Sequence, residues 1–239
     1  MKSKKLHLLL LTLFGSACLL ATASARTLSA VYFRPPAGAP EKVQATHSKG
    51  TIEVLLPRMN LSIPVKIPAG DLVLRITLEP VPTGAEIPAG APTITIPAAW
   101  TDVILLFSVN PKDPAFPFSV TPLNASAASF KPGEIIVFNR TDATIGAKLG
   151  DEGFKLTAGA TTKVNLSKAP EGDYPMHFGY IPAGETEARP LANSTYRNQP
   201  TLRQILFILP EPTRQVPRIW SVAVHPPQPE EPASAVAPR

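Results

Sequence analysis

Few residues in this 239-residue chain are of the types that carry catalysis, and their spacing argues against it. Beyond the first 25 residues the histidines are His47, His177 and His225. None stands at the His-x-His or His-Glu-x-x-His spacing that brings two imidazoles onto one metal ion. The single cysteine, Cys18, lies within those first 25 residues. The remainder therefore has no thiolate for nucleophilic attack or for a blue-copper ligand set. No serine sits in a Gly-x-Ser-x-Gly elbow. Asp102, Glu134, Asp151, Glu152, Glu171 and Asp173 supply carboxylates, but paired-carboxylate hydrolysis needs two within about 5–10 Å, which chain spacing does not fix. The chain reads as non-catalytic, with no metal and no cofactor.

Recognition chemistry is better represented. Arg189, Arg197, Arg203, Arg214 and Arg218 share one stretch with only Glu211 against them, and Tyr196 and Trp220 are interleaved. Planar guanidinium groups beside aromatic rings suit an acidic glycan or a carboxylate-rich protein. The plainer alternative is a set of solvated arginines whose acidic partners lie elsewhere in the fold. His177 belongs to Asp173–Ile181, where Tyr174, Met176, Phe178 and Tyr180 alternate onto one side and Pro175, His177 and Gly179 onto the other. An aromatic core side leaves His177 exposed. The candidate binding face is thus His177, Arg189, Tyr196, Arg197 and Trp220. Five of the seven asparagines (Asn60, Asn124, Asn139, Asn165 and Asn193) begin Asn-x-Ser/Thr triplets, read as local turn formers at strand ends.

The elements that must position these residues are short strands. Twenty-nine prolines and 14 glycines interrupt Val-, Ile-, Thr- and Phe-rich runs, and proline at that density rules out long helices. Strands are expected at 28–34, 50–56, 61–67 and 72–78, with a polar stretch from 35 to 49 between the first two. Ile-Pro-Ala-Gly recurs at 67–70, 87–90 and 181–184 and reads as a type I turn with Gly fourth. One hairpin appears twice: Asp102–Val109 returning at Phe116–Thr121, and Leu202–Leu209 returning at Val216–Ser221. At an offset of 100, Leu106, Phe107 and Pro117 fall on Leu206, Phe207 and Pro217. Its apolar run does not alternate, so both faces should be buried. Gly133–Asn139 is matched to Gly50–Leu56 at an offset of 83, and Thr157-Ala-Gly159 to Pro68-Ala-Gly70 at 89.

The ends carry their own signals. Lys2, Lys4 and Lys5, the apolar 6–20 and Ala23-Ser-Ala25 form a signal peptide cleaved before Arg26. Its three lysines account for more than half of the net charge of +5, so nucleic-acid binding loses its compositional argument. No stable membrane span is expected after cleavage. The Pro-rich residues 226–239 have too few apolar side chains to offset their ordering entropy.

These features give an all-β protein: a signal peptide (1–25), a β-sandwich (26–125), a second β-sandwich (126–225) and a disordered tail (226–239). In strand number and spacing each half resembles an immunoglobulin-like or fibronectin-type domain, without the Cys-Trp-Cys core. The whole chain resembles secreted bacterial proteins with tandem immunoglobulin-like β-sandwich domains. The resemblance implies two such domains and a secreted or periplasmic location, and brings no activity and no site residues. The expected function is a non-catalytic binding or structural module of the cell envelope or exterior, with glycan or envelope protein as partner. The competing classes are an assembly factor acting by β-strand pairing and a secreted carbohydrate-active hydrolase.

Overall fold

The computed structural model describes residues 26–82, 84–166, 170–211 and 216–225. The expected signal peptide with Cys18, the expected tail and Arg214 lie outside the described residues. Every regular element within them is a strand.

Four sheets of four strands each are present. The first inner sheet runs β4 (Val65–Ile67), β1 (Arg26–Tyr32), β7 (Asp102–Val109), β8 (Phe118–Asn124). The first outer sheet runs β3 (Gly50–Leu55), β2 (Lys42–His47), β5 (Leu72–Thr77), β6 (Thr93–Ile96). The second inner sheet runs β12 (Thr161–Asn165), β9 (Glu134–Asn139), β15 (Arg203–Leu209), β16 (Arg218–Val224). The second outer sheet runs β11 (Glu152–Leu156), β10 (Thr144–Leu149), β13 (Gly172–Ile181), β14 (Arg189–Asn198).

Adding eight to each strand number of the first half reproduces the second half. Even the one parallel pair recurs, as β1 beside β7 and β9 beside β15. The order is not the ABED and CFG of an immunoglobulin constant domain, where the first two strands are neighbours; here β1 and β2 belong to different sheets.

Three apolar layers hold the sheets. Leu28, Ala30, Tyr32, Leu105 and Phe107 of the first inner sheet meet Val43, Leu74 and Ile94 of the first outer sheet. Ile135, Val137, Leu206 and Ile208 meet Ile145, Phe178 and Tyr180 in the second pair. A third layer joins the halves: Val31, Phe33, Ile104 and Leu106 pack against Ile136, Phe138, Ile205 and Phe207. The inner sheets are therefore covered on both faces. That is why β7 and β15 read as unbroken apolar runs.

Several expectations need correction. Gly133–Asn139 contains β9, which occupies the position of β1, not of β3, so the match to Gly50–Leu56 does not stand. Thr157-Ala-Gly159 joins β11 to β12, whereas Pro68-Ala-Gly70 joins β4 to β5. The two hairpins pair alike, Phe107 with Val120 and Phe207 with Trp220, but at offset 100 their faces are inverted. Phe107 points into its own pair of sheets, while Phe207 points into the junction between halves. A strand buried on both sides lacks the alternation that reports facing, so a one-residue slip is invisible in it.

The polar stretch 35–49 conceals β2, whose Val43, Gln44 and Ala45 are buried between β3 and β5. Of the strand expected at 61–67 only Val65–Ile67 forms. Ser62 instead clips the preceding loop to β1, its N–H donating to Ala30 O (2.8 Å) and its Oγ accepting from Ala30 N (2.9 Å). The recurrent turn is also shifted by one residue. Ala91 N donates to Pro88 O and Glu185 N to Pro182 O, placing Gly90 (φ +83°) and Gly184 (φ +79°) third. Positive φ at the third place is what a type II turn demands.

Candidate functional site

The candidate residues fall on three different surfaces. His177 and Arg197 share the outer face of the second outer sheet, where His177 is exposed between Lys148 and Asn193. Tyr174, Met176, Phe178 and Tyr180 form the inward side of β13, as their alternation predicts. Tyr196 also points inward and is half-buried, and burial raises its hydroxyl pKa. Arg189 lies at the far end of β14, ion-paired to Glu185 at 2.5 Å. Its pKa is raised chiefly by the Glu185 charge, with Tyr180 adding to it. Trp220 is on the other side of the second half. It packs in the junction layer, edge-on to Phe33 at 5.1 Å and tilted over Phe207 at 5.7 Å. One face does not contain all five.

The arginine stretch is largely accounted for inside the fold. Arg197 lies 3.6 Å from both Glu171 and Asp173. Arg203 is buried and donates to Ala125 O at 2.6 Å and to Phe130 O at 3.4 Å. Arg218 is exposed at the start of β16. The carboxylates are dispersed as well. Glu134 is buried beside Lys163 (3.2 Å), Glu171 and Asp173 serve Arg197, and Asp102 accepts from Thr27 Oγ1 at 2.7 Å. Among the described residues no group of three or more His, Cys, Asp or Glu side chains is placed to share a metal ion. Two of the Asn-x-Ser/Thr triplets are Asx turns: Asn124 Oδ1 accepts from Ser126 N and Asn139 Oδ1 from Thr141 N, both at 3.0 Å.

Two of the five candidate residues share an opening. Tyr196 and Arg197 line a cleft of about 360 Å³ between the edge strands β14 and β16. Its floor is Met176, Leu206 and Ile219, and Thr195, Gln199, Gln204 and Ser221 form a polar rim. The first half closes the same edge by laying β6 against β8 and filling the interior with Phe116 and Phe118. Strand β16 presents the smaller Ile219 and Ser221 toward its own sandwich interior, because Trp220, Val222 and Val224 are turned into the junction.

Among the described residues, the edge of β14 has an identifiable free register. Pro175 lies opposite Thr195, and Pro175 O accepts from Gly150 N on the β10 side. A strand residue's N–H and C=O point to the same side, so this is a non-hydrogen-bonded pair across β13 and β14. Thr195 therefore turns its N–H and C=O outward, and Asn193 and Arg197 follow at the two-residue period. Sequence reading missed this strand because its polar, proline-containing residues carry no apolar alternation. The free backbone register depends on pairing that no side chain announces.

No protein-family model matches the chain, and no curated protein matches it.

Proposed function

We propose that the chain is an exported, non-catalytic binding module of the cell envelope or exterior, built as two tandem β-sandwiches. Its immunoglobulin likeness is one of architecture, not of strand order. The partner it meets is an extended polypeptide that pairs with β14. The observation carrying this reading is the free backbone register of Asn193, Thr195 and Arg197 beside an apolar-floored cleft. Strand addition uses those two things together, backbone hydrogen bonds for affinity and pockets for alternate side chains. An acidic glycan is less favoured, because Arg197 and Arg189 already face carboxylates within the chain.

The test is Thr195→Pro. Proline removes an outward N–H on an edge strand, where it is tolerated, and leaves the β13 ladder intact. Crosslinking of the exported wild-type protein in its own envelope should capture a client that Thr195→Pro loses, while thermal unfolding stays unchanged. Equal capture by the two proteins, or saturable binding of acidic polysaccharide abolished by Arg197→Ala, would replace strand pairing with another mode.

A further inference from the structure

Another cleft lies at one end of the junction between halves, with a volume of about 570 Å³. Its position follows from three strand rows that start polar and become apolar. On β1 the residues facing the junction are Thr27 and Ser29, then Val31 and Phe33. On β7 Asp102 precedes Ile104 and Leu106, and on β15 Arg203 precedes Ile205 and Phe207. Side chains at a two-residue period share one sheet face, so the four polar residues occupy positions where this layer is otherwise core. None of their side-chain atoms is both buried and unpartnered, because they open onto the cleft, and a polar patch set into a core layer is expected where a fold serves a ligand.

The groups are incompletely used by the protein itself. Ser29 is only 8% exposed, and its hydroxyl has no hydrogen-bond partner among the described residues. Arg203 is 7% exposed and spends one guanidinium nitrogen on Ala125 O and Phe130 O, with the plane over Phe130 at 5.5 Å. Its remaining N–H groups have no partner among the described residues, and the side chain lines the cleft. Asp102 lines the same cleft without forming an ion pair with Arg203. Its charge still reaches that far, opposing the fall in Arg203 pKa that burial causes. A cation and an anion thus face one cavity with a gap between them. The loop wall is apolar: Leu61 packs into the junction, and Ile63, 78% exposed, stands at the rim.

We propose that this cleft binds a small zwitterion of the amino-acid or short-peptide class, its carboxylate on Arg203, its ammonium beside Asp102 and an apolar side chain against Leu61 and Ile63. The volume is within the roughly 300–1,000 Å³ of small-molecule sites, which favour such junctions. The cleft shares no lining residue with the one beside β14, so it stands or falls independently of strand pairing.

Titration of the purified protein with L-leucine, L-leucyl-L-leucine, N-acetyl-L-leucine and L-leucinamide, by calorimetry and thermal shift, tests it. At least one of the two zwitterions should bind saturably, and each singly blocked leucine about tenfold more weakly than L-leucine, or below detection. Asp102→Asn keeps an acceptor for Thr27 and should weaken the zwitterion about tenfold while leaving N-acetyl-L-leucine unchanged. Ile63→Glu should weaken zwitterion binding without moving the ligand-free unfolding midpoint, which separates ligand loss from misfolding. Failure of both zwitterions to bind the folded protein, equal binding of the blocked forms, or indifference to Asp102→Asn overturns the proposal.

Discussion

At the scale of the residue, the fold is pinned by buried polar side chains that close otherwise open carbonyls. Arg26 is 4% exposed, yet its guanidinium finds no carboxylate among the described residues. Nε donates to Trp100 O at 2.8 Å, Nη2 to Pro97 O at 2.9 Å, and Nη1 to Pro68 O at 2.8 Å and to Gly70 O. These carbonyls belong to the β4–β5 turn and to the approach to β7, so one side chain ties both to the start of β1. Asn139 does the same in the second half, its amide donating to Ala143 O at 2.8 Å and Thr157 O at 2.9 Å. Removing such a donor takes a charged partner from several carbonyls in a part-buried site. Arg26→Ala should therefore cost about 2–3 kcal/mol of unfolding free energy. Arg26→Lys should recover less than half of it, because a single ammonium cannot present the fork that reaches three directions. Urea denaturation of the two variants checks both statements; a fully rescuing lysine would mean that charge, not geometry, is what the site requires.

At the scale of the element, the repeated hairpin is the informative case. Its unbroken apolar run signals two buried faces, and the structure has them on β7 and β15. The same run conceals which residue faces which layer, so the offset of 100 aligns the pairing and inverts the sides. β2 escaped notice because only Val43 and Ala45 alternate within polar neighbours, and β14 because an edge strand needs no apolar pattern at all. Strand identity was thus readable where both faces are apolar or where one alternates cleanly, as in β13. Register, edge exposure and the clefts come from contacts between segments far apart in sequence. The two-faced burial has a measurable consequence on β15. Ile205 fills the junction and Leu206 the sandwich interior, so alanine at either position should cost about 2–5 kcal/mol. Arg218, exposed at the start of β16, should change stability by no more than about 0.5 kcal/mol when replaced by serine. If adjacent residues on β15 give one large and one negligible loss in chemical denaturation, the strand has one buried face and the four-layer stack is wrong.

At the scale of the whole molecule, the junction decides whether the halves are separable. Phe33 packs on Phe207 at 3.8 Å between centroids, Phe207 stacks on Phe138 at 5.2 Å, and Trp220 closes the cluster. Arg34 adds a bond across the halves, donating to Pro210 O at 2.8 Å and pairing with Glu211 at 2.9 Å. The surface ion pair contributes at most about 1 kcal/mol, so the aromatic layer is what couples the two halves. Either half alone would expose that layer, an apolar surface of the kind that drives association. The two tryptophans report on this separately: Trp100 packs on the first sandwich core and Trp220 in the junction. With Trp100→Phe as background, Trp220 fluorescence and far-UV circular dichroism should give coincident unfolding curves, as a single cooperative unit requires. Phe33→Asp buries a charge in the shared layer and should lower the stability of the second half although the substitution lies in the first. A circular dichroism curve in two steps, with Trp220 changing in only one of them and Phe33→Asp moving only the other, would show instead that the halves fold independently.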